Sequence, residues 1–140
     1  MREKSLEMID LELAILLRRI TSSNRKLGHL DRSAYLLLHR FITRGPAGVK
    51  VLSDEFHLDI STISRQTAAL EQKGYVYRIP DPTDGRAYTL HITELGKNEF
   101  YEHQQTRLSA IGENVKDWPE YDLQHFGELL RKYNHSSTNK

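Results

Sequence analysis

Between residues 59 and 93 the hydrophobic period changes twice, from about 3.6 to 2 and back, and this constrains the fold more than any other feature. Before the first change, Asp59 is a good helix N-cap, and Ile60, Ile63, Thr67 and Leu70 recur at helical spacing. That pattern predicts a helix as far as Lys73 with those four side chains facing inward, closed by Gly74 where a left-handed residue is wanted. After it, Tyr75-Val76-Tyr77-Arg78-Ile79 and Arg86-Ala87-Tyr88-Thr89-Leu90-His91-Ile92 alternate in polarity and are rich in β-branched and aromatic residues. The intervening Pro80-Asp81-Pro82-Thr83-Asp84-Gly85 excludes helix through its prolines and favours a hairpin turn through Asp-Gly.

Helical spacing accounts for nearly all the rest. Leu6, Ile9, Leu13, Leu16, Leu17 and Ile20 mark a first helix over residues 6–25. A second starts from Asp31 as N-cap, buries Tyr35, Leu38, Phe41 and Ile42, and ends at Arg44-Gly45-Pro46-Ala47-Gly48. A short third helix over residues 49–57 offers Val51 or Leu52, with Phe56, to the core. Together with the helix after Asp59 it has the shape of a helix-turn-helix. Thr93 caps a fifth helix over residues 94–115, with Leu95, Tyr101, Leu108, Ile111 and Val115 on one face. Trp118-Pro119 breaks it, and Leu123, Phe126, Leu130 and Tyr133 form the stripe of a sixth. The fold class is therefore mainly α with a small β-hairpin wing. A winged helix-turn-helix region, residues 31–92, stands between long terminal helices, residues 1–28 and 94–134, in a single domain of 140 residues.

Composition excludes several functions. The absence of cysteine removes disulfides, thiolate zinc sites and thiol redox sensing, and fits a reducing, cytoplasmic setting. The N-terminus alternates charged and apolar residues unlike a signal peptide, and no apolar run approaches the ~18 residues of a spanning helix, so no membrane is expected. The seven histidines are scattered without an H-x-x-x-H pair, which reads as surface or capping residues and not as a metal site. No Gly-rich phosphate loop, nucleophile elbow or paired-carboxylate arrangement is present, so neither a cofactor nor enzymatic activity is expected. A net charge of +1 does not by itself mark a nucleic-acid binder. Its distribution is uneven: residues 1–50 hold ten Lys/Arg against five Asp/Glu, and residues 51–140 ten against fourteen.

The helix after Asp59 carries the chemistry. With its apolar residues turned in, Ser61, Thr62, Ser64, Arg65 and Gln66 occupy the exposed N-terminal end, with no Glu or Lys before Glu71. A helix entering a major groove reads bases with its N-terminal residues: Arg suits guanine, Gln suits adenine, and short hydroxyls bond bases or phosphates. The free N–H groups and positive dipole end also favour a phosphate. The plain alternative is a polar helix start with no ligand. On the hairpin, Arg78, Asp81, Asp84 and Arg86 follow an R-x-x-D-x-x-D-x-R spacing. An arginine near a hairpin tip suits the negative potential of a narrow minor groove. Asp84 is placed to hold the Arg86 guanidinium through a charge-assisted bond. The alternative here is a surface hairpin with a local ion pair.

Leu58-Asp59-Ile60-Ser61-Thr62-Ile63-Ser64-Arg65, then Leu70-Glu71-Gln72-Lys73-Gly74-Tyr75-Val76, resembles the MarR family of winged helix-turn-helix transcriptional regulators. So do Arg78, Asp81-Pro82, Asp84-Gly85-Arg86 and Ile92-Thr93-Glu94-Leu95-Gly96, and the resemblance covers essentially the whole chain. It implies a homodimer joined through the outer helices that binds a near-palindromic double-stranded DNA operator. It also implies repression, relieved by a small-molecule ligand bound between the dimerisation and DNA-binding regions. The implied DNA contacts are Ser61, Thr62, Ser64, Arg65, Gln66 and Arg86, with Arg78 and Asp84 supporting the wing. Two departures stand out: Gly85 occupies an often basic position, and Ser53 replaces a usual alanine. Pairing of two chains also follows from the many large apolar residues on the first and sixth helices, which a small winged core lacks surface to cover. The rival reading is a winged-helix protein-interaction module, or an anti-regulator without its own operator, which the near-neutral charge favours.

Overall fold

The computed structural model describes residues 1–22 and 30–137. Residues 23–29, which hold the expected end of the first helix and His29, lie outside the described residues. Six helices and one hairpin follow in the order α1 (Arg2–Ser22), α2 (Arg32–Arg44), α3 (Val49–Phe56), α4 (Ile60–Gln72), β1 (Val76–Pro80), β2 (Tyr88–Ile92), α5 (Glu94–Asn114) and α6 (Glu120–Ser137). They fall into two compact units, residues 1–107 and 108–140. Among the described residues no helix is long and apolar enough to cross a membrane.

Helices α2, α4 and α5 each start where a side chain satisfies a free N–H, while α3 starts at Gly48 without one. The Asp31 carboxylate accepts from the Ala34 amide at 2.8 Å and starts α2. Asp59 does the same for α4. Thr93 accepts from the Gly96 amide at 3.0 Å and donates to the Gly74 carbonyl at 2.7 Å, so one hydroxyl both caps α5 and ties it to the end of α4. Gly74 takes φ 80, the left-handed conformation that ends a helix.

The core is built from Leu37, Leu38 and Phe41 of α2, Leu52 of α3, Ile63 and Leu70 of α4, Val76 and Leu90 of the hairpin, and Phe100 of α5. This alters the expected stripe on α2. Leu37 is fully buried, while Tyr35 and Ile42 lie only half-buried at the margin. In α3 the inward residue is Leu52, and Val51 is exposed. In α4, Ile63, Thr67 and Leu70 are buried as expected, but Ile60, on the first turn, is not: it is 53% exposed. Ser53, where an alanine is usual, makes a bond that alanine could not. It is buried, and its hydroxyl donates to the Leu58 carbonyl across the turn between α3 and α4, where His57 is left-handed at φ 56.

Strands β1 and β2 pair antiparallel from Val76↔Ile92 to Pro80↔Tyr88. Arg86 and Ala87, expected in the second strand, belong instead to the connecting loop. That loop is closed by the Asp81 amide donating to Ala87 and the Ala87 amide donating to Asp84, at 2.9 and 3.0 Å. Ala47 bridges to Leu90 and fastens the linker between α2 and α3 to the hairpin.

Helix α5 meets the core through Gly96, Phe100 and His103, not through the expected stripe: Leu95, Tyr101, Leu108 and Ile111 are exposed and Val115 half-buried. Phe100 stacks on Tyr35 with centroids 4.8 Å apart. His103, expected at the surface or a cap, is buried, and its Nδ1 accepts from the Leu30 amide at 3.3 Å. In the unit of residues 108–140, Leu123 of α6 is half-buried, while Phe126, Leu130 and Tyr133 are exposed and Trp118 lies against Phe126 at 5.6 Å.

A Cβ added at Gly96 would press into the Tyr75 carbonyl and lie 3.0 Å from Ile92 Cγ1, so backbone must move to admit it. Gly96→Ala is expected to destabilise by roughly 1–3 kcal/mol. Gly85→Ala, where a Cβ meets nothing within 4 Å, should stay within about 0.5 kcal/mol. Urea denaturation with an unchanged m-value checks both.

Candidate nucleic-acid interface

At ~100° per residue, α4 sorts its polar side chains into two groups. Ser61, Ser64 and Arg65 lie on an outward strip together with Ile60, Ala68 and Gln72, all exposed except the half-buried Ser64. Thr62 and Gln66 fall on the flank toward α2 and are half-buried. Gln66 Nε2 donates to Ser33 Oγ at 3.1 Å, which links α4 to the first turn of α2. Asp31, Ser33, Arg65, Gln66 and Lys73 line a shallow hollow along that flank. The sequence therefore identified five neighbours of which the structure points three outward and turns two toward α2.

The α4 N-terminus already holds a carboxylate. Asp59 accepts from the Thr62 amide at 3.3 Å and from Ser61 Oγ at 2.9 Å. Hydrogen bonds from Thr62 and then Ser61 hold its carboxyl below the usual range. Asp59 engages one backbone amide of this N-terminus, that of Thr62, so a phosphate there would share the helix end with a carboxylate. Beside it lies the outward strip of hydroxyls and guanidinium.

The hairpin is organised by bonds other than the expected one between Asp84 and the Arg86 guanidinium. Asp84 Oδ1 accepts from the Arg86 backbone amide at 3.1 Å, so it shapes the turn and does not hold the guanidinium. Asp81 likewise accepts from the Thr83 amide and hydroxyl, both at 2.8 Å, and those bonds lower its pKa. Arg86 is exposed on the loop these two acids build. Arg78 is the latch. Its Nε donates to Glu71 Oε1 at 2.9 Å, and its guanidinium sits 4.2 Å from the Tyr88 ring centroid. The base of the hairpin is thus tied to the second half of α4. Glu71 and Tyr88 were not singled out from the sequence. A carboxylate seven residues before Arg78 was the available signal, invisible without knowing that the chain reverses at Gly74. Gly85 adopts no positive φ and faces open space, so its small size is not required by the turn.

A second hollow, within residues 1–107, is lined by the apolar Leu17, Ile20 and Leu30 and by Arg32, His103 and Arg107. Arg107 lies 4.9 Å over the Tyr35 ring. Among the described residues no group of three or more His, Asp or Glu is arranged to hold a metal ion. Helix α1 bares Leu6, Ile9, Leu16 and Leu17, and α6 bares Phe126, Leu129, Leu130 and Tyr133.

Comparison with known proteins agrees with this geometry. The model of the MarR family matches residues 30–88. An uncharacterized HTH-type transcriptional regulator of Bacillus subtilis, YxaD, is 44% identical over 135 residues, covering 94% of each chain. Among solved structures, a MarR family protein from Bacillus stearothermophilus superposes with a TM-score of 0.79 at 18% identity, over 99% of each chain. A mutant MarR from E. coli complexed with operator DNA superposes with a TM-score of 0.68 at 20% identity, over 91% of this chain and 95% of its own.

Two consequences of the site geometry can be measured on the protein alone. The Asp59 carboxyl is depressed, so its contribution to stability is present above the ordinary range near ~3.9 and disappears as pH falls through its lowered value. Asp59→Asn should keep the cap and flatten that acid limb in thermal melts; Asp59→Ala should lower the midpoint at neutral pH as well. The exposed Arg78–Glu71 pair contributes only ~0–1 kcal/mol globally. Arg78→Ala should therefore speed amide exchange in the hairpin while leaving the slowest core amides unchanged. Equal hairpin exchange in both proteins would remove the latch.

Proposed function

The chain belongs to the MarR family of helix-turn-helix transcriptional regulators, and on that premise we propose that it works as a homodimeric repressor on a near-palindromic double-stranded DNA operator. The observation that carries the reading is the outward strip of α4, Ser61, Ser64 and Arg65, flanked by a hairpin that Arg78 fastens to the same helix and that carries Arg86 on its loop. A strip of short hydroxyls around one guanidinium suits base edges in a major groove. Arg86 suits the adjacent backbone or minor groove, with Arg78 and Asp84 fixing the hairpin that presents it. Thr62 and Gln66 face the α2 flank, where they meet phosphate oxygens, and Gln66 also holds α4 in register through Ser33.

Dimerisation is supported by the bare apolar residues of α1 and α6, more than a lone soluble chain ordinarily leaves in water. The dimer is assigned to residues 1–28 and 94–134 and the DNA-binding region to residues 31–92. A two-fold axis would set the α4 helices of the pair about 34 Å apart, one duplex turn, and call for an inverted repeat. Relief by a small ligand is supported by the hollow that combines Leu17, Ile20 and Leu30 with Arg32, His103 and Arg107. Such mixed apolar and cationic linings suit a compact organic ligand. The protein acts in the cytoplasm, where its operator is.

Selection of bound duplexes from a random pool tests the whole reading. An enriched inverted repeat, with affinity falling steeply in salt, is expected. Arg65→Ala should cost roughly 1–3 kcal/mol on that repeat and relax its sequence preference. Arg86→Ala should weaken all duplexes evenly and flatten the salt slope by about 1. A pool that returns no enriched sequence, together with salt-insensitive capture of a protein partner, would replace the operator by an interaction module.

A further inference from the structure

Ile60 is the one side chain of the α4 apolar stripe that the fold does not use. Helical spacing aligns it with Thr67, yet it is 53% exposed on the leading turn. Its neighbours one and two turns along the outward strip are Ser64 and the exposed Ala68, neither long enough to cover it. The first turn carries no acidic residue, although the helix dipole favours one there. Neither the core nor helix electrostatics therefore explains an isoleucine at this position.

On the reading that α4 enters a major groove, we propose that Ile60 reads the 5-methyl group of a thymine, with Ala68 lining the same apolar track. The thymine methyl is the only apolar group that base pairs present in the major groove. An exposed branched side chain among serines and an arginine is complementary to that group and to nothing else on the groove floor. Arg65 and Ile60 lie five residues apart on neighbouring turns, so the thymine belongs within the few base pairs that the first two turns of α4 span. Ile60 is thus a specificity-determining residue that acts by apolar contact, beside the hydrogen-bonding set of Ser61, Ser64 and Arg65.

The test replaces thymine by deoxyuridine, one position per half-site, in the duplex enriched by selection, and compares wild type with Ile60→Ala and Ile60→Val. Deoxyuridine removes only the methyl. One position should weaken wild-type binding about fourfold per half-site, the worth of one methyl-sized apolar contact. Ile60→Ala should bind the thymine and deoxyuridine duplexes equally, and Ile60→Val should fall between. Because Ile60 is exposed, unchanged thermal midpoints are expected for both variants. If no position responds to loss of its methyl, or if Ile60→Ala keeps the full response, Ile60 is not the reader. If no duplex is enriched at all, the failure lies with the operator reading and takes this inference with it.

Discussion

The corner that aims α4 depends on one buried guanidinium. Arg40 is 8% exposed, near the end of α2, and its Nε and Nη2 grip Glu55 of α3 at 2.6 and 3.3 Å. Its Nη1 donates to the Gly45 carbonyl at 2.8 Å. A fork-shaped cation therefore fixes, at once, the end of α2, the direction of the following linker and the roll of α3. The hydrogen bond from Arg40 is the foremost reason that the Glu55 carboxyl is held below its usual range, and Arg44 adds a second cation at 3.3 Å. Lysine could not replace it, since a point charge cannot serve two helices and a carbonyl in fixed directions. Everything that aims α4 lies downstream: Leu52 packs, Ser53 closes the turn onto Leu58, and Asp59 starts the helix. The outward strip of α4 inherits its orientation from a polar clamp that touches none of its residues.

Local signals were legible and long-range ones were not. Asp31, Asp59 and Thr93 were readable as caps because a cap is an interaction between residues two or three apart. Gly74 was readable because only its own backbone angle matters. Burial was less legible. A stripe of apolar residues fixes a helix but leaves its roll uncertain by a residue, which is how Leu37 displaced Tyr35 and Ile42 on α2. On α5 the inward face is Gly96, Phe100 and His103, of which a hydrophobic count sees one. Glycine is there because the chain passes against the Tyr75 carbonyl, and histidine because its ring accepts from an amide 73 residues away. Neither reason is written near those residues.

The same distinction explains the hairpin. From spacing alone, Asp84 and Arg86 made the obvious ion pair, because adjacent opposite charges are all that spacing can show. In the fold the aspartates satisfy backbone donors in the loop, a stronger demand than a solvent-exposed charge pair. Arg78, which had only a general supporting role, finds Glu71 and the Tyr88 face once the chain reverses. The wing is consequently stiff at its base and built from hydrogen-bonded turns at its tip. Such a construction presents the exposed Arg86 on a short, shaped lever.

Exposed apolar surface then has two distinct meanings in this molecule, and size separates them. Along α1, Leu6, Met8, Ile9, Leu11, Leu16 and Leu17 are bared over several turns, and α6 bares an aromatic and aliphatic face of its own. Apolar surface of that extent is what the proposed pairing with a second chain would cover. Ile60 is one side chain set among hydroxyls and a guanidinium. A protein partner would gain little from so small an island and would have to desolvate its polar rim. A DNA groove suits the mixture, since its hydrogen-bonding base edges are interrupted by isolated methyl groups at a comparable scale. On the proposed reading the terminal helices meet a second chain and α4 meets a base-pair surface. If the proposed dimer forms, the first requirement sets how far apart the second is met.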